Sequence, residues 1–128
     1  MRMKFLIGTL VVGVLAVSTL AAVPSRQSAL VRFLRPTIIA GTFVLGTVVF
    51  EHDDARMARG EPCTTVYYYD ANAKTRGETI VEFMCVPHER PLASKFEAVT
   101  AQTVSWPDKL MEYQFAGDRE GHGVPSLK

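Results

Sequence analysis

The nineteen residues from Phe5 to Val23, FLIGTLVVGVLAVSTLAAV, carry no charge and follow Arg2 and Lys4. That is the basic n-region and apolar h-region of an export signal. With residues 1–23 assigned to targeting, roughly a hundred of the 128 residues remain to fold, which is one small domain at most. Cleavage after Ala21 or Ala22 is the favoured reading. At 19 residues the run is also close to the ~20 that cross a bilayer as a helix, so a retained membrane anchor is the alternative. Either way the rest of the chain is expected outside the cytoplasm, periplasmic or tethered to the membrane.

Charge is uneven along the chain. Residues 1–50 hold five basic side chains and no acid, whereas from Glu51 onward nine basic residues stand against 13 acidic ones, a net of −4. No concentrated basic footprint is left on the folded part, which excludes a nucleic-acid partner. The second apolar run, Thr37–Phe50, is 14 residues long and too short to span a bilayer. Its Val, Ile, Thr and Phe content predicts a strand.

Residues 24–36 read as a linker or a short amphipathic helix, with Ala29, Leu30, Phe33 and Leu34 at near-helical spacing among Arg26, Arg32 and Arg35, and Pro36 as the stop. Strand patterns then follow at Ile38–Phe50, Cys63–Tyr69, Thr79–Val86, Phe96–Val104 and Leu110–Phe115. Turn chemistry separates them at Asp70–Glu78, Pro87–Pro91 and Ser105–Lys109. The expected fold is all-β, a small antiparallel β-sandwich or barrel of about five strands over residues 37–117, with residues 118–128 as a flexible tail around His122.

Two cysteines in an exported chain predict one disulfide. If Tyr69 pairs with Thr79 in an antiparallel hairpin, Cys63 falls opposite Cys85, both on the core side, at a separation that a disulfide accepts. Such a cross-link would contribute on the order of 3 kcal/mol by the chain-entropy model.

A different chemistry competes for Cys85. In the stretch FMCVPHERP, Cys85, Pro87 and His88 resemble the copper-binding loop of the cupredoxins. That resemblance implies a thiolate and an imidazole on one ion, with His52 as the earlier histidine, although residues 89–95 hold no methionine for the axial position. A tetrahedral zinc or copper site drawn from Cys63, Cys85, His88 and one of His52 or His122 has the right donor types. The segment Glu51–Pro62 supplies a further polar candidate, with His52, Asp53 and Asp54 beside Arg56 and Arg59. Its carboxylates can orient the imidazole. No Ser or Cys nucleophile stands beside His52 at a supporting spacing, so a binding or structural module is favoured over an enzyme.

The stretches HDDARMARGEPC, FMCVP and EYQFAG with the following HGVP resemble a set of small, uncharacterised bacterial exported proteins. The resemblance implies a bacterial source and one compact unit after the signal, and no activity. The combined expectation is a cell-envelope β-domain stabilised by one disulfide, with no cofactor, binding an envelope partner or a small ligand. Membrane contact would come only through an uncleaved N-terminal segment. A zinc or copper protein using His52, Cys85, His88 and His122 is the alternative, and an enzyme centred on His52 the next.

Overall fold

In the segment Thr42–Asp53 the side chains of Val44, Val48, Phe50 and His52 are buried, and those between them are more exposed. This period-two burial marks a strand with one face on a core. It belongs to a computed structural model that describes residues 26–102 and 107–126. The Phe5–Val23 run lies outside the described residues, and among those described no helix is long and apolar enough to cross a membrane.

The elements are β1 (Arg26–Ile39), β2 (Thr42–Asp53), α1 (Asp54–Ala58), β3 (Thr64–Asp70), β4 (Thr75–Phe83), β5 (Val86–Glu89), β6 (Glu97–Ala101), β7 (Asp108–Gln114) and β8 (Glu120–Gly123). Among the described residues all the strands join one eight-stranded sheet in the order β4-β3-β2-β1-β7-β8-β5, with β6 off this path and paired to β7. The all-β expectation holds. The sheet has eight strands rather than about five, it is not closed into a barrel, and its β1–β7 pairing is parallel.

Three local features account for the difference in strand count. Residues 26–35, expected as linker or helix, form most of β1, where Gln27, Ala29, Val31 and Phe33 are at least half-buried and alternate with exposed residues. Pro36 does not stop it, because the ladder shifts register between Phe33 and Thr37 and the proline falls in that irregularity, where its missing N–H costs no ladder bond. The segment Ile38–Phe50 is not one strand but a hairpin. Ala40 and Gly41 both take left-handed backbone angles, φ 47° and 84°, in a two-residue turn that pairs Ile39 with Thr42. Residues 120–123, expected within a flexible tail, form β8 and pair with both β5 and β7.

The β3–β4 hairpin forms with a tighter loop and a different register. Tyr67 pairs with Thr79 and Thr64 with Phe83, where the expected pairs were Tyr69 with Thr79 and Cys63 with Cys85. The strands run further into the loop because Asp70 Oδ1 accepts from the N–H groups of Asn72 and Ala73 and closes the turn there.

In β7 one residue changes which side chains face inward. Leu110 pairs with Thr100 and Glu112 with Val99, so Met111 is bulged out and 44% exposed. Ahead of it Asp108 and Leu110 are buried, and beyond it Tyr113 and Phe115 are. At the N-terminal end of β7, Arg35 donates twice to buried Asp108, at 3.0 and 3.2 Å, beside the Thr37–Asp108 pairing of β1 and β7.

The core lies where β2 and β3 meet the inward face of β7 and β8, strands that are not ladder neighbours of β2. Phe50 sits among Phe33, Phe96 and Tyr113 with ring centroids 6.2, 5.5 and 5.1 Å away. Tilted and edge-on contacts at these distances are the favoured aromatic arrangement. One end of this apolar layer carries polar chemistry.

Candidate metal centre

Two residues beyond Phe50 on the same inward face of β2 comes His52, and directly across the ladder from Tyr113 comes a second imidazole, His122 of β8. The two imidazoles face each other with centroids 4.2 Å apart, at 1% and 0% exposure. Cys63, just ahead of β3, and Cys85, between β4 and β5, complete the group from the hairpin side. Met84 turns outward after the ladder ends at Phe83, which returns Cys85 to the interior.

The sulfurs of Cys63 and Cys85 are neighbours at 2.8 Å, as expected for a pair. At that distance they are free thiols and not the disulfide expected from sequence, whose bond would be about 2.05 Å. Cys63 Sγ also accepts from the backbone N–H of Cys85 at 3.3 Å. Cys85 Sγ lies 3.5 Å from Nδ1 of His122. Thr64 and Tyr113 share a hydrogen bond through their hydroxyls, and the Thr64 hydroxyl lies 3.8 Å from Cys63 Sγ.

Each histidine has a carboxylate on one ring nitrogen. Asp54 Oδ1 is 3.4 Å from Nδ1 of His52, and Glu120 Oε1 is 3.9 Å from Nε2 of His122. The opposite nitrogens, Nε2 of His52 and Nδ1 of His122, are left for the cluster. Nε2 of each histidine is buried with no hydrogen-bond partner, a condition that costs free energy unless something else satisfies it. Donor atoms of His52, Cys85 and His122 all lie within 4.8 Å of one another.

The electrostatics divide the cluster. The hydrogen bond from Cys85 holds Cys63 well below the ordinary thiol range, helped by His52, the Cys85 amide and Thr64 against the effect of burial. Cys85, as the proton-bearing member, is pushed the other way by the same hydrogen bond and by burial. Burial works against a charged His52, but the hydrogen bond and charge of Cys63, with Asp54 and Glu120, raise its pKa. Burial, then the charge on His52, lowers His122 to about 4, so it is neutral at pH 7. Burial, Asp118 and Asp54 raise Glu120.

A thiolate beside an imidazolium is also the make-up of an activated nucleophile. Cys63 is only 1% exposed, at the base of a cavity of about 120 Å³ lined by Arg26, Glu51, Asp53, Arg56 and Arg76. Soft thiolates and borderline imidazoles in one buried group are instead the donor set that zinc and copper select.

Of the metal ligands expected from sequence, His52, Cys85 and His122 converge and His88 does not. His88 is exposed on β5, paired with Gly121. Cys85 and His88 point to different sides because they stand three positions apart in extended chain, an odd offset that puts side chains on opposite faces. The polar candidates disperse as well. Asp53 caps α1 through the N–H groups of Ala55 and Arg56 and pairs with Arg26, Arg56 lies between Glu61 and Glu82, and Arg59 pairs with Glu61. Only Asp54 of that group reaches His52.

Tyr113, Thr64 and Glu120 are members of the site that the sequence reading missed. Gly121 and Gly123 held the signal for β8. A Cβ on Gly121 would stand 2.3 Å from Glu112 Oε2, and one on Gly123 would stand 3.1 Å from His88 Nε2. They are close-packing glycines around a buried histidine, not the punctuation of a loose tail.

The chain matches no protein-family model, no curated protein and no solved structure.

Proposed function

We propose that this is an exported cell-envelope β-domain that binds a thiophilic metal ion, zinc or copper, through Cys63, Cys85, His52 and His122. The observation that carries the reading is the convergence of the His52, Cys85 and His122 donors within 4.8 Å, with Cys63 Sγ 2.8 Å from Cys85 Sγ. Donors around a tetrahedral zinc stand roughly 3.3–3.8 Å apart, given bonds of about 2.0–2.3 Å. Small side-chain adjustments bring this group there. Carboxylates behind both imidazoles fit the same chemistry, since a metal-bound histidine usually leans its other nitrogen on a carboxylate.

Export rests on the Phe5–Val23 run behind Arg2 and Lys4. The resemblance to small bacterial exported proteins supports the same address. The sheet is read as folding over into a sandwich-like layer, supported by ring contacts between β2 and the β7–β8 side.

Cobalt(II) tests the site. Added to the reduced, metal-free protein it should give thiolate-to-cobalt absorption that saturates at one ion per chain. Cys85→Ser should weaken binding by at least about tenfold.

A second reading is favoured by the close approach of the two sulfurs: a binding or structural module closed by a Cys63–Cys85 disulfide. Intact mass separates the two. A chain lighter by about two hydrogens without reductant, and no cobalt–thiolate absorption after reduction, would establish the disulfide module instead.

A further inference from the structure

Nε2 of His122 faces away from the sulfurs. Its ring directs Nδ1 at Cys85, 3.5 Å off, and Nε2 at Glu120, 3.9 Å off. A donor atom of His122 and carboxylate oxygens of Asp118 and Glu120 all lie within 4.8 Å of one another. His122 is fully buried and its Nε2 has no hydrogen-bond partner. Both carboxylates are partly buried, and among the described residues neither is paired with an arginine or lysine. They border a depression of about 290 Å³ completed by Pro87, His88, Glu89 and Arg119.

We infer that Asp118, Glu120 and Nε2 of His122 form a second cation site, back to back with the thiolate site on one imidazole, which takes a divalent ion of harder preference such as manganese. Two carboxylate oxygens and one imidazole nitrogen suit such an ion. The open depression leaves room for the waters that complete its coordination. The site shares His122 with the proposed thiolate centre but needs neither cysteine, so it is tested by itself; filling both at once would release the remaining ring proton to solvent and leave His122 as a bridging imidazolate. The outward nitrogen of a fully buried ring, aimed at two carboxylates without a counter-ion, otherwise has no partner.

Manganese(II) distinguishes the two sites, because thiolate donors hold it weakly and carboxylates hold it well. Titration followed by loss of the free-ion electron paramagnetic resonance signal should saturate at one manganese per chain, in reduced protein and in protein whose thiols have been oxidised to the disulfide. The double substitution Asp118→Asn, Glu120→Gln should weaken manganese binding by at least about tenfold, and Asp118→Asn alone, which keeps the Glu120 carboxylate behind His122, should leave the cobalt–thiolate absorption in place. Manganese should also broaden the amide resonances of Gly121 and His122 in the unaltered chain before those of Glu97–Ala101, a readout that requires no variant. Manganese binding that survives the double substitution, or broadening that begins elsewhere, would overturn the inference. Absence of cobalt–thiolate absorption alongside carboxylate-dependent manganese binding would sink only the thiolate centre.

Discussion

The first four strands and the last four are built in different ways. From β1 to β4 each strand pairs with the next in sequence, whereas β5 reaches β8, β7 returns to β1, and β6 joins the sheet only through β7. Local pairing makes the first half a continuous meander that ordering of neighbouring segments can assemble. In the second half β6, β7 and β8 also pair in sequence order, but β5 and the join to β1 depend on contacts between distant segments, whose loop-closure cost must be met before they form. The candidate metal centre lies on the seam. His52 and Cys63 come from the first half, His122 from the second, and Cys85 from the link between them.

The largest expected effect comes from cutting the seam itself. Phe50 reaches from β2 to Tyr113 and Phe96, so Phe50→Ala should cost about 3–5 kcal/mol in denaturant unfolding and destabilise both halves together. A loss below about 1 kcal/mol would mean that the halves are held elsewhere.

Tyr113→Phe is narrower. It removes the hydroxyl that bonds Thr64 and should cost about 1–2 kcal/mol. Hydrogen exchange should then quicken for β7 and β8 amides more than for those of β1 and β2. Uniform quickening would show that the two halves open as one unit.

The smallest effect belongs to the Arg90–Glu112 pair, two hydrogen bonds of 2.8 and 2.7 Å at the rim of the second half. Arg90→Ala should lower stability only slightly at neutral pH, since an exposed ion pair is screened by solvent. The Arg90 hydrogen bond, opposed by partial burial, holds Glu112 below the ordinary carboxylate range. The contribution is therefore full above the unfolded-state value of about 4.3 and disappears as pH falls through the lowered folded one. Stability of the unaltered protein should fall more steeply than that of Arg90→Ala over that window, with the two converging in acid.

The same division shows what could be read from the sequence. The strand character of Thr42–Phe50 was legible from its Val, Thr and Phe content, though not which face turns inward, and so was the closeness of Cys63 to Cys85, even though the assumed register was wrong. The break at Ala40–Gly41 was hidden because alanine at the first turn position is not a usual left-handed residue and its flanks are as β-prone as a strand interior. Pro36 suggested an end to a helix, when it marks an irregularity within a strand. In the second half, glycines beside His122 read locally as flexibility, and only the approach of Glu112 and His88 reveals why no side chain fits there. Thr64, Glu120 and Tyr113 belong to the site through pairings that no local pattern displays, whereas Asp54 was legible as a carboxylate two residues from His52.

The bulge at Met111 gives chain length a chemical meaning in β7. Remove one residue between Leu110 and Tyr113 and the two-residue alternation runs on unbroken, carrying the Tyr113 ring and its hydroxyl to the opposite face, away from Thr64 and His122. A substitution there is a local matter. A single-residue deletion would invert what the strand presents, so this short stretch is expected to accept exchanges of side chain far more readily than changes of length.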